Sequence, residues 1–387
     1  MNSISKLGVF ALMLAASLTI MVGSAITPAL LEISTHYGVT NQATWLTTLP
    51  ALGVVLFAPF AGKLIHKIGN YKAICIGLLL YGAIGISAIW IDNHILVFAD
   101  RILLGAATAI TMAASTGLLA DFFEGEKRLK MVALQGMSIE AGGIIFLSLG
   151  GILGSIGWQW PFLLYLISWI AFIFILLFVP SHKGLQMETT EDVVDSKQVE
   201  KVWPILVAAL LAMTMFFVGF ITLPFYLTDH FGLNAAGIGY LLASISFVAV
   251  LSASIMPKVV NRMTDYYTLG TGFILFASGF LILAFTQEFF LFVILAAIFI
   301  GFGFGFTIPL ANHMVVEKSS FTNRGKNLAY YSSAVFLGQF LSSFIEGLSD
   351  KLFVIYLLVA GVGCITSLTY FTATRRKRAS KTDSIKV

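Results

Sequence analysis

Charge is what this sequence has least of. Asp, Glu, Lys and Arg make up 11% of its 387 residues, against roughly 25% in a soluble domain, so most of its surface has no means of facing water. Cysteine is almost missing. Cys75 and Cys364 both fall in apolar stretches, which excludes a disulfide framework and a thiolate metal site and leaves them as small hydrophobes. The sequence has no His-Glu-x-x-His or Gly-x-Ser-x-Gly pattern, the marks of zinc peptidases and serine hydrolases. It also lacks Gly-x-x-x-x-Gly-Lys, so ATP is not the direct energy source. No catalytic residue, metal, cofactor or nucleic-acid partner is expected.

What fills the space is apolar. Hydrophobic residues reach 58% and aromatics 13%, with 34 Phe, and lipid must be the solvent for much of that surface. Apolar segments run over about 7–29, 43–62, 73–91, 95–119, 130–153 and 161–180. They resume over about 203–227, 236–256, 268–286, 289–311, 327–346 and 352–373, each near the 20 residues or so that a spanning helix needs. The first is too long for a signal-peptide core and is expected to be retained.

Basic residues give an orientation by the positive-inside rule. With the N-terminus in the cytoplasm, all but two of the 23 Lys and Arg fall inside, Lys351 lying outside and Arg101 within the membrane. Both termini are therefore expected to be cytoplasmic. Ser181 to Lys201 is the one long polar connector and reads as a solvated linker. The expected organisation is a six-helix bundle over 1–180, a linker over 181–201, a second bundle over 202–374 and a basic cytoplasmic tail over 375–387. Arg375–Arg378 in that tail is expected to lie against anionic headgroups.

The two halves repeat. A shift of about 195 residues pairs His36-Tyr37-Gly38-Val39 with His230-Phe231-Gly232-Leu233, and Gly62–Tyr71 with Pro257–Tyr266. Gly105 falls on Gly301 and Lys130 on Lys326, and a near-constant offset of this kind marks an internal duplication. Each half has an even number of spans, so the repeats are parallel, with the substrate path expected at their interface.

Ionisable residues inside a bilayer cost about 2.5–3.5 kcal/mol each even on a lenient scale, so the few present are informative. Arg101, beside Asp100, heads a face of Gly105, Thr108, Met112 and Ser115 that is too small and polar for lipid. Two readings stand: a static pair with Asp100, or a contact with substrate or with a proton-accepting carboxylate. Glu140 is the candidate carboxylate, about ten residues into the fifth segment and so roughly 15 Å deep at 1.5 Å per residue. Gly136, Gly143, Gly150 and Gly154 form a stripe about 40° from it at 100° per residue, and small residues mark close helix contact. Burial and a neighbouring cation act on its ionisation in opposite senses, the competition that a reversible proton site requires. A permanently protonated structural Glu is the alternative. In the second half, an offset of about 196 puts Ser332, Gln339 and Glu346 where the glycines stand. Joined by Ser343, this ladder is expected either to face the cavity or to bond neighbouring helices. Phe217 and Tyr226 could line an apolar pocket or simply face lipid.

Gly62–Lys72 resembles motif A of the major facilitator superfamily. Gly62, Leu64, Lys67, Gly69 and Lys72 fit, while His66 stands for the usual Asp and Asn70-Tyr71 for the usual basic pair. Phe98-x-x-Arg101-x-x-x-Gly105 resembles motif B of that family's drug–proton antiporters. The fifth segment resembles their motif C through Gly142, Gly150 and Gly151, with Phe146-Leu147 where Gly-Pro is usual, and Trp158–Phe162 is similar to a run in the same branch. The resemblance implies an all-α fold of twelve spans in two parallel six-helix repeats, with motif A as a cytoplasmic gate in which Lys67 or Lys72 pairs with Asp121. It further implies that Arg101, with Asp100, acts beside Glu140 in proton coupling; as small residues, Gly105, Gly136, Gly143, Gly150 and Gly151 are expected to serve helix packing. Expected partners are a small-molecule substrate, protons and membrane lipids, and a monomer in a bacterial cell membrane. Proton-coupled export of a drug-like compound, metabolite or metallophore is the function implied, with uptake by symport or facilitation, or a non-transporting sensor, as the other readings.

Overall fold

The computed structural model describes residues 4–181, 202–285, 289–320 and 323–383. The connector expected over 181–201 therefore lies, apart from Ser181, outside the described residues. Among those described, twelve helices are long and apolar enough to cross a membrane. They are α1 (Lys6–His36), α2 (Trp45–Ile68), α3 (Asn70–Trp90), α4 (His94–Phe122), α5 (Gly125–Gly154), α6 (Trp160–Phe178), α7 (Trp203–Phe231), α8 (Ala235–Met263), α9 (Asp265–Phe285), α10 (Phe290–Glu317), α11 (Arg324–Glu346) and α12 (Leu352–Thr374). Backbone groups in hydrocarbon must find their partners within the protein, and a helix satisfies them within one segment. Pro28 shows the local exception: α1 is α-helical to Ser24, tightens into a 3-10 turn over Thr27–Ala29 and resumes at Leu30.

The chain forms two compact units, residues 1–191 with 232–243, and residues 192–231 with 244–387. The division differs from a cut at the connector because the first turns of α8 pack on α5. Gly151 and Gly239 meet backbone to backbone, and a methyl on either would come within 2.6 Å of a carbonyl oxygen, that of Ala235 or of Leu147.

Within each unit the repeat is visible as contacts. In the first, Gly105 of α4 lies on the Pro50 carbonyl and Gly53 of α2; in the second, Gly301 of α10 lies on the Ile245 carbonyl and Val248 of α8. Gly77 of α3 faces Thr111 and Ile110 of α4, and Gly272 of α9 faces Thr307 and Phe306 of α10. Thr111 and Thr307 each turn a hydroxyl back to the carbonyl four residues earlier, at 2.9 Å and 2.8 Å. Without a hydrophobic drive between helices in lipid, such close approach supplies the packing that holds them.

Tyrosine hydroxyls tie the helices further. Tyr81 donates to the Leu18 carbonyl (2.7 Å), Tyr165 to Val22 (3.0 Å), Tyr331 to Ile308 (2.8 Å) and Tyr370 to Pro204 (2.7 Å). Just outside α1, Tyr37 donates to Ala88 at 2.6 Å. Burial pushes that phenol up to about 12, so it remains a donor across the physiological range.

Candidate functional site

The first polar cluster sits two turns into α4. Asn93 caps that helix, its side-chain oxygen accepting from Ile95 and Leu96, and this cap sets where Asp100 and Arg101 enter the bundle. Arg101 is fully buried. Its Nε and Nη2 donate to Asp100 Oδ2 at 3.0 and 2.5 Å, and Nη2 also approaches the Ile84 and Gly85 carbonyls of α3 at 3.5 and 3.4 Å. Nη1 reaches the Tyr165 hydroxyl at 3.5 Å, while Ser87 closes the far side by donating to Asp100 Oδ1 at 2.7 Å. The guanidinium carbon lies 5.4 Å from the Phe162 ring centre and 5.5 Å from that of Tyr165, a cation–π geometry. A buried charge is tolerated when it is paired and its donors are used, and here both conditions hold. Tyr165 and Ser87 are absent from the residues expected at this site. The signal that could have found Tyr165 is chemical: a tyrosine deep in an apolar run needs somewhere to place its hydroxyl.

Glu140 lies at the middle of α5, a helix of 30 residues. One face passes through it. Toward the start of the helix that face carries Ala133, Gly136 and Met137, all exposed; toward the end it carries Leu147, Gly151 and Gly154, all buried. Gly154 packs on Ala29 and Ala235 as Gly151 packs on Gly239. Glu140, half-buried, stands where the face changes from open to closed. No hydrogen bond or ion pair among the described residues engages its carboxyl. The acid bound to Arg101 is Asp100, and Glu140 is not joined to that cluster. Of the glycines, Gly143 is buried and Gly150 lies on the Ala25 carbonyl, but Gly136 has open space where a side chain would project.

In the second unit, Gln339 and Ser343 of α11 are buried, and Ser332 and Glu346 are half-buried. Thr214 of α7 donates to the Gly338 carbonyl at 3.1 Å, so this part of α11 is held against α7. Phe217 belongs to a buried aromatic group with Phe216, Phe220 and Phe304, ring centres 4.4 to 6.0 Å apart. Tyr226 is buried beneath His230, the two rings stacked at 4.5 Å, and neither Phe217 nor Tyr226 has the exposure of a lipid-facing side chain.

At the α2–α3 turn, Gly62, His66, Lys67 and Lys72 are exposed or half-buried, and Gly69 adopts a left-handed φ of 82°. The partner of Asp121 is neither lysine. Asn70 Nδ2 donates to Asp121 Oδ2 at 2.8 Å. The reason is local: Asn70 opens α3 directly after the Gly69 turn, and its amide rests on Gly117 of α4, where no Cβ intervenes. The residue that breaks the usual basic pair is the one that makes the bond.

The sequence profile of the Major Facilitator Superfamily matches residues 12–264 and 205–386. "Multidrug resistance protein 2" of Bacillus subtilis (strain 168) is 26% identical over 342 residues, covering 82% of this chain and 84% of that protein. "Tetracycline resistance protein, class B" of Escherichia coli is 26% identical over 276 residues, 66% of this chain and 65% of that one. "Quinolone resistance protein NorA" of Staphylococcus aureus matches at 28% over 112 residues, 29% of each chain. Among solved structures, a D-xylose–proton symporter superposes with a TM-score of 0.77 at 14% identity, over 94% of this chain and 96% of that one. The nucleoside transporter NupG gives 0.76 at 12%, over 94% and 99%. These likenesses establish the twelve-helix fold and a multi-pass place in the cell membrane. The chain belongs to the Major Facilitator Superfamily, and it is a transporter rather than an enzyme.

Proposed function

We propose that this transporter exports a small organic solute in exchange for protons, and that Glu140 is the carboxyl that carries the proton. One observation supports the reading above the rest: a mid-helix acid, free of hydrogen bonds and ion pairs among the described residues, on a face open toward one end of its helix and packed toward the other. With the start of α5 in the cytoplasm, as the distribution of Lys and Arg favours, the open stretch leads inward. A carboxyl so placed loses its proton on that side and regains one when the packed side opens. The resistance named in the relatives' descriptions favours export over uptake.

The energetics suffice with one such group. A membrane potential of 100 mV supplies about 2.3 kcal/mol per proton and one pH unit about 1.4. Together they hold a solute gradient of several hundred-fold. Arg101 is enclosed and its donors are engaged, so we assign it no anion-binding role. Neutral and cationic solutes are the substrate class that fits Glu140; within the second unit taken by itself, Gln339 and the Phe217 group are the candidate solute contacts.

Inverted membrane vesicles test the direction. Acidifying the lumen should drive tetracycline or a fluoroquinolone into vesicles carrying the protein, and a protonophore should abolish that uptake. Accumulation driven instead by external acid would reverse the assignment and make the protein a symporter.

A further inference from the structure

We propose that Asp100 and Arg101 form a fixed positioning element of the first unit, which sets the packing of α1, α3, α4 and α6 and stands outside the path of proton and solute. The resemblance to motif B places the arginine beside a proton-carrying carboxylate; the geometry points elsewhere. Arg101 is fully buried, and its side chain is enclosed by residues of the first unit. Its Nε and Nη2 end on Asp100 and on two α3 carbonyls, and its Nη1 on Tyr165. Tyr165 hands the connection on to the Val22 carbonyl of α1, and Ser87 occupies the second oxygen of Asp100. Three helices thus meet at one guanidinium, and Tyr165 ties in a fourth. Gly85 makes the approach possible, since a methyl there would run into the Tyr165 ring. Glu140 is on another helix and has no bond to any member of this cluster.

A fixed pair and a working residue differ in what a double substitution does. Removing one member of a buried pair strands the other charge, whereas removing both together is often tolerated. Asp100→Asn and Arg101→Gln should therefore each lower the thermal midpoint of the purified protein sharply, and the double variant should regain most of the loss. The second readout is the pH titration of the carboxyl infrared bands, in which the Glu140 band is identified by its loss in Glu140→Gln. In the double variant that band should titrate as in the parent. Tyr165→Phe, which removes one hydroxyl and keeps the ring, should lower the midpoint by a few degrees and leave the titration in place; it decides the matter should the double variant not insert. A double variant no more stable than the singles, or a displaced titration in either the double variant or Tyr165→Phe, would overturn the proposal. The infrared readout rests on the reading of Glu140 above, while the stability cycle does not. If Glu140→Gln removes no band, that reading fails and the cycle still decides this one.

Discussion

Thr264 is the residue at which the two halves disagree most sharply with their own chemistry. It stands where the repeat has Gly69, in the turn between the second and third helices of its half, and it keeps the same left-handed backbone, φ 90° against 82°. Glycine holds that conformation freely; for a β-branched residue it costs about 1–2 kcal/mol. Thr264 is exposed, so no packing offsets the cost. Thr264→Gly should raise stability by about 1 kcal/mol, read as a higher thermal midpoint in detergent, and Gly69→Thr should lower it by a similar amount. At the same scale, Asn70→Ala should cost about 0.6 kcal/mol, the usual worth of one interhelical hydrogen bond in a membrane protein. Lys67→Ala and Lys72→Ala should cost nothing measurable, and a thermal series of the three variants checks the assignment of Asn70 as the partner of Asp121.

At the scale of helices, the duplicated contacts rank substitutions. A methyl on Gly105 would land on the Pro50 carbonyl and on Gly53, both backbone, whereas one on Gly301 would lie 2.8 Å from the Ile245 carbonyl and from the Val248 side chain. The methyl on Gly105 would sit the closer of the two to a backbone oxygen, so more has to shift. Gly105→Ala is expected to cost about 1–3 kcal/mol, the range for overpacking, and more than Gly301→Ala. Comparison of the two melting curves tests the ranking. The helices themselves were legible because twenty-residue apolar runs have one solution in lipid, and the pairing of Gly105 with Gly301 was legible because a constant offset survives divergence. The rotation of each helix was less so. Periodicity gives faces, but it does not say which helix meets them. Gly136 shares the stripe of Gly150 and still has open space before it. Arg101, on a face of small polar residues, turns its guanidinium into Asp100 and Tyr165. Partners brought together from 64 or 51 residues away, as Arg101–Tyr165 and Asn70–Asp121 are, leave no local pattern to read.

For the whole molecule, the distribution of charge singles out one carboxyl. The remaining Lys and Arg of the described spans cluster near helix ends, Asp100 and Arg101 neutralise each other, and the second unit keeps its described acids near its helix ends. Among the described residues, Glu140 is left as the unpaired carboxyl at mid-span. Proton and solute fluxes measured together in proteoliposomes put this to the test most directly. With a pH dye inside and a solute that the vesicle assay finds to be carried, a solute gradient should drive protons the opposite way through the parent protein. Glu140→Gln should still exchange labelled for unlabelled solute while moving no protons. Proton movement of undiminished size through Glu140→Gln would contradict the account.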